Sequence, residues 1–301
     1  MKLKSIIFAS AASLAFLGVN APVHADIKEA ARSLHDRSNS AIVGIKGLLK
    51  IDVTMNGQPA GKQESPIWGN GTVIGDGIVV AAYQTLVPDV AAQAKGGGMP
   101  PGVEIKTKLN EVKFVDPSGE EYDAKLVLHD EDLDLAFLSL DPKAENIDAW
   151  EVKPIEIASD PTVGLLDDVI SMSRQSSTLR FASALKTGTV ISVVKRPRLL
   201  YAVDGISPGS PAFTEDGGFL GLVTLRKSAD GKRPPVPVIL PAKYLRKLVP
   251  QAVEKQEALK SGEGEEEESE DEAGSEEGGE EEKPSGGEEA GTEEGDGGSS
   301  N

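Results

Sequence analysis

Short runs rich in Val, Ile and Leu recur along this chain in two sets of six, each run closed by Gly, Asp, Asn or Pro, and that rhythm constrains the fold more than any other feature. The first set comprises Ala41 to Ile51, Gly71 to Ile74, Ile78 to Ala82, Glu111 to Val115, Ala124 to Leu128 and Leu135 to Leu140. The second comprises Pro154 to Ile157, Asp168 to Met172, Gly188 to Val194, Leu199 to Val203, Phe219 to Leu225 and Val236 to Leu240. Strands alternating with helices would indicate a parallel sheet, whereas two consecutive series of strands predict an all-β chain with two antiparallel β-barrels, residues 41–150 and 151–260, joined near Asn146 to Lys153. Asp116-Pro117-Ser118-Gly119 reads as a turn, since Gly supplies the positive φ that follows a proline bend. Helical spacing predicts a short helix from Ile27 to Arg37 within an N-terminal segment 26–40. A second helix is predicted from Ala242 to Leu259, where Tyr244, Leu245, Leu248, Val249 and Val253 form an apolar stripe expected to cap the second barrel. The Gly-rich stretch Lys95 to Gly102 reads as an insertion of low order.

Charge is distributed unevenly. The net charge is -18, but Ser261 to Asn301 holds 18 Asp or Glu and a single Lys, so the remainder is nearly neutral. That leaves no basic field or basic-aromatic run for nucleic acid. The segment 261–301 lacks apolar residues to bury and is expected to be a disordered acidic tail. It is suited to weak contact with cations or a basic partner, without the ligand spacing of a calcium loop. At the other end, Lys2 and Lys4 precede an apolar stretch from Ile6 to Val19, and Pro22-Val23-His24-Ala25 precedes Asp26. This is the pattern of a signal peptide, residues 1–25, cleaved between Ala25 and Asp26, and it predicts export to a periplasm or beyond the cell with no later membrane span. There is no cysteine, which excludes thiol catalysis and disulfides. No cofactor or metal site is expected.

Four segments in order carry a family resemblance. Ala41-Ile42-Val43-Gly44-Ile45 is followed by Gly69-Asn70-Gly71-Thr72-Val73-Ile74 and Gly77-Ile78-Val79-Val80-Ala81-Ala82. The turn at 116–119 leads into Asp130-Glu131-Asp132-Leu133-Asp134-Leu135-Ala136. Last comes Gly205-Ile206-Ser207-Pro208-Gly209-Ser210-Pro211-Ala212-Phe213. Over about residues 40–255 this order resembles the trypsin-like serine proteases, in particular their bacterial HtrA-like branch. The resemblance implies a two-barrel peptidase fold with a Ser-His-Asp triad. It also marks departures. The position of the family's histidine is Tyr83, and Gly209-Ser210-Pro211-Ala212-Phe213 aligns Pro208 with the serine. Only Asp134 of the triad is kept. Proline has neither a hydroxyl to attack with nor an N–H for the oxyanion hole, which in this family includes the nucleophile's own amide. Where the family often continues into a PDZ domain, the acidic tail follows.

The expectation is therefore an exported, catalytically inactive homologue that binds a protein or peptide. Without an imidazole, Asp134 is expected to accept bonds from backbone amides or the Tyr83 hydroxyl. An alternative is an active endopeptidase using Ser207, since Gly205 to Gly209 formally reads GxSxG, or using Ser210. Lys186 and Lys195 are the lysines considered as substitute bases. Asp132 and Asp134, two apart, would share a face of an extended strand. A further alternative makes the barrels an anchor for the tail. The histidines His24, His35 and His129 fit neither a triad nor a metal pattern.

Overall fold

Asn56 and Gly57 both take positive φ, 50° and 78°, and this two-residue turn fixes the register of a long hairpin, β1 (Ile42–Met55) and β2 (Gln58–Gly75). The computed structural model describes residues 26–96, 98–228 and 234–262. The predicted signal peptide with Ala25, and nearly all of the acidic tail, lie outside them. The hairpin opens a closed six-stranded barrel, β1-β2-β3-β6-β5-β4, completed by β3 (Ile78–Ala82), β4 (Val103–Val115), β5 (Glu121–Asp130) and β6 (Leu135–Leu140). A second closed barrel, β10-β11-β12-β9-β8-β7, is built from β7 (Asp168–Arg174), β8 (Ser183–Val194), β9 (Leu200–Val203), β10 (Pro211–Thr214), β11 (Phe219–Arg226) and β12 (Val236–Pro241). The two-barrel architecture is as predicted from the sequence.

Several strands run longer than their apolar runs. Residues 49–55 of β1 pair with β2 on one side and β4 on the other, beyond the barrel, as a three-stranded arm. Its polar face is dense in charge: Lys50 lies opposite Glu64 on one side and the like-charged Lys108 on the other, and Asp52 opposite Lys62 and Lys106. Such a face has no unbroken apolar run. Pro154 to Ile157, predicted as a strand, forms none; Pro154 has no N–H to donate, and Ile155 N–H donates singly to the Val73 carbonyl at 2.8 Å. The sixth strand is instead β10, four buried residues that begin within the Gly205–Phe213 segment and end one residue past it.

Alternation of side chains divides the interior into three cores. Val43, Ile45, Val79, Ala81, Phe114 and Leu138 fill the first barrel, and Val169, Val190, Tyr201, Leu220 and Ile239 fill the second. The opposite faces of β3 and β6, Ile78, Val80, Leu135 and Phe137, meet Ile170, Phe213 and Leu240 in a third core between the barrels. This is why β3 and β6 are buried along their whole length. Two helices seal that third core. In α1 (Ile27–Ser38), capped by the Asp26 side chain, Ala31 and Leu34 point inward. In α4 (Ala242–Ser261), Leu245 and Ala252 do the same. Contrary to expectation, α4 does not cap the second barrel alone; it spans both, and Gln256 Nε2 donates to the Asp76 carbonyl at 2.8 Å. Two short helices, α2 (Tyr83–Leu86) and α3 (Val90–Gly96), follow β3. The stretch expected to be a low-order insertion thus begins in a helix, and its far end is docked, with Asn56 N–H donating to the Gly102 carbonyl at 2.7 Å.

The barrels are cross-linked by Arg174, at the end of β7. Its amide donates to Asn70 Oδ1 at 2.7 Å, its Nε to the Ile42 carbonyl at 2.7 Å, and an Nη to the Asn39 carbonyl at 2.6 Å. The side chain is buried, which draws its pKa below the usual range. Arg174→Ala removes both guanidinium hydrogen bonds and leaves a void between barrels, so it is expected to lower stability by about 2–4 kcal/mol, read from urea denaturation midpoints at an unchanged m-value.

Candidate functional site

Asp134, the backbone at Tyr83 and the 205–210 turn come together where the barrels meet. Asp134 sits in the β5–β6 turn with φ 57°, an uncommon conformation that Asp tolerates better than most residues. It is 2% exposed. Its carboxylate accepts from the Gln84 amide at 2.7 Å and, across the barrel boundary, from the Leu225 amide. Gln84 Nε2 in turn donates to the Leu225 carbonyl at 3.1 Å, and Tyr83 N–H donates to the Asp134 carbonyl at 3.2 Å. The expectation that Asp134 binds amides is met by these two; the Tyr83 hydroxyl is not among its partners. Burial pushes its carboxyl up to about 6, against the opposing pull of the two amides, the Gln84 side chain and the Lys227 ammonium.

Tyr83 opens α2 and is half-buried. Its ring stacks on His129 of β5, centroids 4.7 Å apart and planes within 10°. Burial, and then the charge of Glu131, raise its phenol pKa. Tyr83 is therefore one half of an aromatic pair whose histidine comes from β5. Nothing in the spacing of residues marks His129 as the partner of Tyr83, because the pairing depends on how β5 passes α2. His35, the other histidine in the described residues, lies elsewhere: its Nε2 is 2.6 Å from Ser183 Oγ and its Nδ1 3.4 Å from Asp36 Oδ1. Asp36 is 82% exposed and weakly placed, so this contact ties α1 to β8 and does not orient a base.

The third part is the turn from Gly205 to Ser210. Gly205 and Gly209 both adopt φ 79°. Gly209 N–H donates to the Val223 carbonyl at 2.7 Å and Val223 N–H to the Ser210 carbonyl at 2.9 Å, so the turn is laced to β11. A Cβ on Gly209 would stand 2.9 Å from the Asn70 carbonyl oxygen and 3.8 Å from the Ala82 amide, which is how tightly the turn presses on the strand end that carries Tyr83. Pro208 is half-buried beside it. Ser210 Oγ is buried and has no hydrogen-bond partner among the described residues, far from the exposure a nucleophile needs.

Ser207 is half-buried, and its Oγ accepts from Lys186 Nζ at 3.0 Å. Lysine acts as a base only when burial strips its ammonium of water, and Lys186 is exposed. Lys195 is not at the turn. Asp132, predicted to share a face with Asp134, lies in the same turn but points to solvent, where Arg198 and Arg226 hold it in ion pairs and lower its pKa. The β5–β6 turn breaks the extended geometry that the spacing assumed. Among the described residues no group of three His, Asp or Glu is placed to hold a metal.

A two-barrel chain with an aspartate, a strand-end residue and a glycine turn meeting at the junction is the layout of one peptidase fold. The family model of the trypsin-like peptidase domain matches residues 69–222, about half of the chain. The chain belongs to the trypsin-like peptidase family. A search of curated proteins finds no match. The matched span includes Tyr83, Asp134 and the 205–210 turn, and stops inside β11, so the trypsin-like assignment rests on the segments that build this site.

The raised carboxyl of Asp134 has a signed consequence. With the folded value near 6 and an ordinary value of 3.8, the folded state binds the proton more tightly. Its stabilising contribution is complete below about pH 4 and is lost as pH rises through about 6, on the order of 2–3 kcal/mol. Denaturation midpoints measured from pH 4 to 7 are expected to fall more steeply for the wild type than for Asp134→Asn; equal slopes would show that Asp134 does not titrate there.

Proposed function

We propose that this trypsin-like protein is an exported, non-catalytic homologue that binds a protein or peptide at the junction of its barrels. The observation that carries the loss of catalysis is Pro208: at the position aligned with the nucleophile there is no hydroxyl, and no amide N–H to contribute to an oxyanion hole. Tyr83 at the histidine position compounds it, since a phenol whose pKa is raised does not accept a proton at neutral pH. The order of segments favours the HtrA-like branch, and the N-terminal 25 residues favour export through a cleaved leader.

Binding is supported by what the junction retains. Tyr83 and His129 present a stacked pair of rings, one half-buried and one exposed, and Tyr83 lines a groove of the first barrel with Leu109 and Leu126. Such rings give a peptide large contact area at little entropic cost. A second reading keeps hydrolysis, and one contact favours it: Lys186 Nζ to Ser207 Oγ at 3.0 Å. That reading needs Lys186 deprotonated in an exposed position.

The two readings separate on labelling. Incubated with an unfolded protein substrate and a fluorophosphonate probe, the purified chain is expected to give no cleavage and no adduct above the level of Ser207→Ala. Pro208→Ser alone is expected to stay silent too, for want of a base. Labelling that disappears in Ser207→Ala would overturn the non-catalytic reading.

A further inference from the structure

Outside the junction, the strongest unexplained feature is a group of cations most of which have no ion pair among the described residues. The turn between β8 and β9 carries Lys195, Arg196 and Arg198, and it is pinned to the start of α4 because the Leu199 amide donates to the Tyr244 hydroxyl at 3.0 Å. Lys243 and Lys247 stand over the Tyr244 ring, 5.1 and 5.8 Å from its centre. Arg198 is spent on Asp132. Lys195, Arg196, Lys243 and Lys247 have no ion pair among the described residues, and Lys195, Arg196 and Lys247 are exposed. Four uncompensated positive charges on one patch repel one another, and in a chain of net charge -18 they call for an anionic occupant.

The same chain supplies one. We infer that this patch is the docking site of the chain's own acidic segment, residues 263–301, which holds 18 Asp or Glu against a single Lys. The lengths agree. From Lys243 to Ser261 the helix rises about 27 Å, at roughly 1.5 Å per residue. About eight extended residues, at roughly 3.3 Å each, bring the chain back from the helix end to the level of Lys243. That return delivers Glu270-Asp271-Glu272 to the patch. Attachment through so short a span holds the carboxylates at an effective concentration near the millimolar range, so a polyanion in solution must compete with a tethered one. Each exposed pair is weak and screened, and the docked state depends on several together at modest ionic strength.

The test uses the full-length chain. Zero-length carbodiimide coupling at low salt, read by mass spectrometry, is expected to join carboxylates of 263–301 to Lys195, Lys243 and Lys247 within one molecule. The yield is expected to fall several-fold when salt is raised to about 0.5 M. Links distributed equally over exposed lysines elsewhere, such as Lys28 and Lys106, would overturn the proposal, as would links formed only between molecules. A variant with Lys195→Gln, Arg196→Gln, Lys243→Gln and Lys247→Gln gives a second readout. Its low-salt hydrodynamic radius should match that of the wild type at high salt, with an unchanged circular dichroism spectrum; a radius identical to that of the wild type at low salt would sink the proposal.

Discussion

The carboxylate of Asp134 is the joint on which the rest of the molecule turns. It belongs to the first barrel, yet one of its oxygens is held by an amide of the second, and Gln84 reaches over the same boundary to the carbonyl of Leu225. Each barrel has its own closed core and could satisfy its backbone alone. Their relative placement depends on the third core beneath α1 and α4 and on a few polar ties, Asp134 and Arg174 foremost. In an active enzyme of this family the aspartate orients an imidazole. Asp134 accepts instead from two main-chain amides, one from each barrel, and so ties the barrels together.

Burial makes that role costly in one respect and specific in another. A carboxylate out of water disfavours its charge, and its pKa rises accordingly. Two amides and a nearby lysine offset part of the penalty while fixing direction. Arg174 solves the matching problem for a cation, its guanidinium satisfied by backbone carbonyls instead of an acid. Two buried charges of opposite sign, each paired with main chain, hold the barrels in register.

Much of this was legible in the sequence, and the failures have identifiable causes. Runs such as Ile78 to Ala82 and Leu135 to Leu140 are apolar throughout because they face two cores at once, and they were read correctly. The arm beyond Ile51 was not, since its strands carry charged residues along the ladder and leave no apolar run to detect. Pro154 to Ile157 looked like a strand by composition, but composition does not count hydrogen-bond donors. Within the site, Tyr83, Asp134 and Pro208 were singled out from their neighbours along the chain. The stack of His129 on Tyr83 and the contact of Lys186 with Ser207 were not, because both join residues brought together only by strand pairing and turn geometry.

The close seat of Gly209 against Asn70 couples events that a two-barrel layout would otherwise keep apart. Asn70 touches the turn through its carbonyl oxygen and holds the amide of Arg174 with its side chain. Anything that displaces the turn must therefore move the same residue that ties the barrels together. Room for a bulkier turn residue and the grip between the barrels are therefore set at one and the same asparagine.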